Sequence, residues 1–159
     1  MALRKLILIG VAAGFVSFAG MKLPAHAASS VDVEADQMEI IDAEHKTIFT
    51  GNVVAKRPSD TIKASSMVVT SSDQKQADGT MKNQTDFVDA KGDVTVVTKN
   101  AVITGEWAKF DVQNDSMVVG GNVKLVQGTS TVLGQRLQVN TKTNRLQMSG
   151  GRVSGSFLP

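Results

Sequence analysis

The sequence predicts an all-β fold of stacked, hairpin-like repeats, and three observations carry that expectation. A Gly-polar-Val triplet recurs at Gly51-Asn52-Val53, Gly92-Asp93-Val94, Gly121-Asn122-Val123 and Gly151-Arg152-Val153. A second small residue, Ala64, Gly105 or Gly134, follows each of the first three glycines at one constant offset of thirteen residues. When the repeats are aligned on these small residues, with Ala35 opening the series, apolar side chains fall in alternate columns.

The columns decide between strand and helix, because a strand sends alternate side chains to opposite faces. Three places beyond the small residue stand Met38, Met67, Ala108 and Leu137, and five places beyond stand Ile40, Val69, Phe110 and Val139. The positions between them mix Glu39, Val68, Lys109 and Gln138, a mostly wet face. Two places before the small residue, Val33, Ile62, Ile103 and Val132 form another apolar column. The step from that column to the later ones is odd, so the face must switch near the small residue, which predicts a bulge or kink there. Behind each glycine, Val53, Val94, Val123 and Val153 form a further column, continued by Ala55, Val96 and Leu125. Helical spacing is not sustained after the N-terminal leader, and Val and Thr abound where a helix favours Ala, Leu and Glu.

The repeat spacing is broken once, between Ala64 and Gly92. The extra residues map to Ser71–Asp86, polar except for Ala77 and Met81 and containing Asp78-Gly79, so this stretch reads as a long exposed hairpin loop. The chain of 159 residues therefore divides into a leader, 1–27, and one β domain, 28–159, carrying that insertion at 71–86. The leader has Arg4 and Lys5, an apolar run from Leu6 to Met21, Pro24 and the small-x-small end Ala25-His26-Ala27, the pattern of a cleavable signal peptide. Its apolar run falls short of the ~20 residues of a spanning helix; an uncleaved membrane anchor is the alternative. Export to the bacterial periplasm follows as an expectation. With no cysteine, the domain must rely on an apolar core rather than disulfides.

Charge narrows the function. Of the 17 Lys and Arg residues, Arg4, Lys5 and Lys22 leave with the leader, so the 15 carboxylates slightly outnumber the remainder and the basic character disappears. A nucleic-acid partner would want a persistent basic surface with interleaved aromatics, and neither is present. The residual charge is polarised: beyond Asp115 stand Lys124, Arg136, Lys142, Arg145 and Arg152 with no carboxylate. Enzymatic chemistry has little to work with. After the leader the one histidine is His45, beside Asp42 and Glu44 in an expected turn, and a solvated surface role suits it. Asp32, Glu34 and Asp36 alternate along one strand, a charged outer face rather than a cation site, since no Gly-containing ligand loop accompanies them. No serine lies in a G-x-S-x-G elbow. No catalytic residue, metal or cofactor is expected.

The apolar columns have two readings. They are either the packed core of a β-sandwich or jelly roll, in a purely structural exported repeat protein, or the lining of a groove for an apolar ligand. The groove reading draws on the short Val, Ala and Met side chains of the inward set, with Phe49, Phe110 and Trp107 as its aromatics, and on the adaptability of Met. Its candidate lining is Met38, Ile40, Phe49, Val53, Ile62, Met67, Val69, Val94, Val96, Ile103, Phe110, Val119, Val123, Leu125, Leu137 and Val139.

Three phrases, Val33-Glu34-Ala35-Asp36, Phe49-Thr50-Gly51-Asn52-Val53-Val54 and Ile62-Lys63-Ala64-Ser65-Ser66-Met67-Val68-Val69, resemble the opening repeats of the OstA-like family. Ser65 departs from the family's Ala-Asp pair, and the polar insertion is unusual. The likeness runs from about Val31 to Val153, and the cleavable leader fits its periplasmic LptA-type members better than the membrane-anchored LptC-like ones. The resemblance implies an open, twisted β-jellyroll whose V-shaped interior shields the acyl chains of lipopolysaccharide. It also implies end-to-end assembly of subunits, head to tail, between LptC-like inner-membrane and LptD-like outer-membrane components.

Overall fold

The computed structural model describes residues 31–158, so the expected leader 1–27 lies outside the described residues. Ten antiparallel strands form one sheet: β1 (Asp32–Glu34), β2 (Gln37–Ile41), β3 (Lys46–Lys56), β4 (Asp60–Lys75), β5 (Met81–Thr98), β6 (Val102–Asp111), β7 (Ser116–Gln127), β8 (Ser130–Asn140), β9 (Arg145–Ser149) and β10 (Ser154–Ser156). Strands β3 to β8 neighbour one another in chain order. At one end β1 pairs with the second half of β3 and β2 with its first half; at the other, β10 and β9 divide β8 in the same way. The sheet stays open, an all-β jellyroll of hairpins as expected.

Each long strand bends midway, and the cause is local. Thr50 pairs with Ser66, yet the next ladder partner is Val53 with Ala64, so β3 carries one residue more than β4. The same register shift recurs at Gly92-Asp93 and Gly121-Asn122 against both of their neighbours. Both residues of each pair have left-handed backbone, φ 83° and 46°, 80° and 47°, 80° and 48°. Glycine enters that region freely, and Asn and Asp are the side chains that follow most readily. The recurring Gly-polar pair is thus the bulge itself.

That placement corrects the sequence expectation that the small residue hosts the bulge. Ala64, Gly105 and Gly134 instead lie opposite Val53, Val94 and Val123. They are small because the inside of the bend is crowded: a Cβ on Gly105 would meet Val119 Cγ1 at 2.6 Å. The fourth copy also shifts. There the left-handed pair is Gly150-Gly151, and Val153 is exposed rather than inward.

The residue after each small position clamps the neighbouring bulge. Asn52 Nδ2 donates to Asp36 Oδ2 at 2.9 Å, Ser65 Oγ to the Gly92 carbonyl at 3.2 Å, and Asn122 Nδ2 to Glu106 Oε1 at 2.8 Å. Ser65 faces the one bulge in the series whose second residue is acidic, Asp93; an aspartate there would set two carboxylates side by side.

Register then builds the apolar columns. One runs Met38, Phe49, Met67, Ala90, Ala108, Val119, Leu137, Met148; another Ile40, Thr47, Val69, Val88, Phe110, Met117, Val139, Leu146. Beyond the bend, Val33, Ala55, Ile62, Val96, Ile103, Leu125 and Val132 align. Residues from both sides of the bend share one core, so the two half-sheets face each other like the sides of a V. Among the described residues every buried side chain of that core is apolar.

Two further expectations change. The segment 71–86 is not a loop: β4 and β5 continue as a paired arm, Ser71 with Thr85 through Lys75 with Met81, closed by a turn at Gln76–Thr80. Alternating polar residues can pair as well as apolar ones when both faces are wet, so polarity alone did not mark a loop. Trp107 lies outside, 37% exposed, with its ring over Gly120 where a Cβ would sit.

The bulges are testable. Gly121→Ala forces a side chain into left-handed backbone, where its Cβ would meet the Glu106 side chain at 2.6 Å. It should lower unfolding free energy by about 1–3 kcal/mol in urea titration. Asn122→Gly, which keeps the backbone and loses the bond to Glu106 and the long one accepted from Gln135 at 3.5 Å, should cost no more than ~1.5 kcal/mol. Equal midpoints for Gly121→Ala and the unaltered protein would contradict the assignment.

Candidate functional site: an apolar cleft between the half-sheets

The core does not fill the whole V. At the end carrying β1 and the arm, a cleft of about 530 Å³ opens between the two walls, a size within the usual range for ligand sites. Val31, Val33, Ala55 and Ile62 line one wall; Met67, Val69, Val88, Phe110 and Val112 line the other. Its edge is polar, formed by Arg57 and by Gln76, Lys82, Asn83, Gln84 and Thr85 of the arm.

Arg57 ties the walls together. It lies in the β3–β4 turn, where its Nε donates to Asp60 Oδ1 at 2.7 Å and a terminal guanidinium nitrogen binds the other carboxylate oxygen. The guanidinium stands 4.5 Å from the centroid of the Phe110 ring on the opposite wall. Both partners of the ion pair are mostly shielded, with side chains 20% and 11% exposed, so the bidentate bond is worth more than a surface pair. The cleft can therefore hold an apolar chain against Val, Ile, Met and Phe side chains while keeping one fixed cation at its rim.

Of the sixteen expected lining residues, the structure brings Ile62, Met67, Val69 and Phe110 to this cleft. Val53, Val94, Val96, Ile103, Val119, Val123, Leu125, Leu137 and Val139 are packed core, and Phe49 is half-buried against it. Met38 and Ile40 share the inward columns but lie on edge strand β2 with no wall opposite, 61% and 59% exposed. The columns were thus correctly placed on one face; which of their members meet the opposite wall depends on how far each strand reaches past the bend. Sequence reasoning missed Val88 and Val112, which sit next to the insertion and outside the repeat alignment. Val33 and Ala55 belonged to aligned apolar columns and could have been found there. Arg57 gave no signal, since its partner Phe110 is remote in sequence.

Among the described residues no three His, Cys, Asp or Glu side chains are placed to share a metal ion. The carboxyls held below their ordinary range are Glu44, by the Lys46 ammonium, Asp78, by the Thr80 hydroxyl and amide, and Asp111, by Asn114. Glu44 and Asp78 sit in exposed turns and Asp111 is the half-buried last residue of β6; none of the three lines the cleft. His45 caps the turn between β2 and β3 in left-handed conformation, φ 50°, and is exposed.

Comparison with known proteins agrees with the architecture. The chain resembles LptH of Pseudomonas aeruginosa, described as the LptA-homologous periplasmic component of the lipopolysaccharide transport device: the TM-score is 0.70, covering 82% of this chain and 96% of that one at 16% identity, a likeness of fold. An uncharacterized protein of Rhizobium meliloti (strain 1021) is 30% identical over 135 residues, 81% of this chain and 71% of that protein. The family described as LptA/(LptD N-terminal domain) LPS transport protein matches residues 32–149. Spanning nearly the whole sheet, that match places the chain in the LptA/LptD N-terminal domain family of lipopolysaccharide transport proteins.

Proposed function

We propose that this protein is an exported, periplasmic carrier of lipopolysaccharide that shelters lipid A acyl chains between its two half-sheets. The observation that carries the reading is the open apolar cleft, walled by Ile62, Val69, Val88 and Phe110 and, among the described residues, lacking any fully buried polar side chain. Such a wall cannot satisfy a polar ligand, whereas each methylene moved into it from water contributes ~0.8 kcal/mol. Family membership points to the same cargo. A purely structural β-repeat protein would have no use for an unfilled space of this kind, which costs stability without a ligand.

The same reading extends to a bridge built head to tail, with an LptC-like partner at the inner membrane and an LptD-like partner at the outer. Among the described residues nothing pairs with the outer edges of β1 and β2 or of β9 and β10. Both ends carry exposed apolar side chains, Met38 and Ile40 at one, Leu146, Phe157 and Leu158 at the other. Unpaired edges invite strand addition, and the carboxylate-free region beyond Asp115 favours contact with the acidic leading end.

Two experiments test this. A photo-crosslinking residue at Val69 or Phe110 should capture lipopolysaccharide in native membrane extract, and one at outward-facing Lys109 should not; capture from Lys109 alone refutes the cleft. Light scattering over a concentration series should show mass growing with concentration, and less so at high salt. A strict monomer at every concentration rules out the bridge.

A further inference from the structure

We infer that the β4–β5 arm is a head-group clamp, with Lys82 placed to bind a phosphate of the glycolipid whose tails occupy the cleft. The inference rests on the proposed function and adds to it a site in the insertion that interrupts the repeats.

The arm is aimed by a bulge at its base. Thr70 pairs with Phe87 but Ser71 with Thr85, so Asp86 is the extra residue, and an unpaired residue of this kind bends the strand that carries it. Asp86 is fastened there: its carbonyl accepts from Val112 N–H at 2.9 Å and its carboxylate from Gln113 Nε2 at 3.2 Å. The result is that Lys82–Thr85, strand residues of one half-sheet, share a cleft with Val31, Val33 and Arg57 of the other. The far end is fastened too, with Asp78 Oδ1 accepting from the Thr80 hydroxyl and amide at 2.6 and 2.9 Å.

What the arm presents there is one chemistry. Gln76, Lys82, Gln84 and Thr85 offer amide, ammonium and hydroxyl groups beside an apolar interior, matching a molecule whose acyl tails end in hydroxyl- and phosphate-bearing sugar. The other rim cation, Arg57, is committed to Asp60. Lys82 joins none of the ion pairs among the described residues, and its ammonium is available for a ligand anion.

The test uses the purified exported protein and three ligands: bisphosphorylated lipid A, the same lipid with its phosphates removed, and an uncharged fatty-acid methyl ester. Lys82→Glu, an exposed strand position whose change spares the core, should weaken phosphorylated lipid A about tenfold, the loss of one charge-assisted bond. It should leave the other two ligands unchanged. Replacing Ser72–Thr85 by an Asn-Gly turn, which removes the amide and hydroxyl groups as well, should weaken both forms of lipid A and leave the ligand without a head group unchanged. Equal affinity of Lys82→Glu and the unaltered protein for phosphorylated lipid A overturns the clamp while the cleft stands. Unaltered protein that binds none of the three overturns both.

Discussion

Alternate long strands of this sheet, β3, β5 and β7, turn a corner at two consecutive left-handed residues, and the rest of the molecule follows from that corner. A glycine takes the first position without steric penalty, and a short polar residue takes the second with its side chain free to bond outward. The extra residue bends the strand and offsets the ladder by one. Repeated at Gly51-Asn52, Gly92-Asp93 and Gly121-Asn122, the bend folds one continuous sheet over on itself. A flat sheet of the same composition would leave a whole apolar face in water.

The bend also decides what is core and what is cleft. Near β7 and β8 the walls close, and Val119 and Leu137 are wholly excluded from solvent. Toward β1 the inward columns continue, but the strands opposing them are short, so Met38 and Ile40 are left bare and the space beside Phe110 stays open. Arg57, bonded to Asp60 and resting on Phe110, fixes the separation of the walls there. One repeated pattern thus yields a stable closed part and a receptive open part.

Much of this was legible in the sequence. The all-β class, the inward columns and the repeat of the Gly-polar pair are consequences of local chemistry that alternation and spacing display directly. Local chemistry does not say which strand of a pair carries the bulge, and the crowding that keeps Gly105 small comes from Val119 on the next strand. The arm was misread because wet-faced strands lack the alternation that marks half-buried ones. Arg57 and Val112 were invisible because their roles depend on a wall brought close only by the fold. Membership of a lipopolysaccharide transport family fits the resemblance carried by the opening repeats.

The central claim is that one apolar tail is held between two walls made from a single bent sheet. Nuclear Overhauser contacts from acyl-chain protons of lipid A to methyl-labelled protein read it directly. The expected result is contact from one chain to Ile62 of the first wall and to Val69 and Val88 of the second. Contacts confined to one wall, or spread over outward residues such as Val97 and Val102, would contradict it.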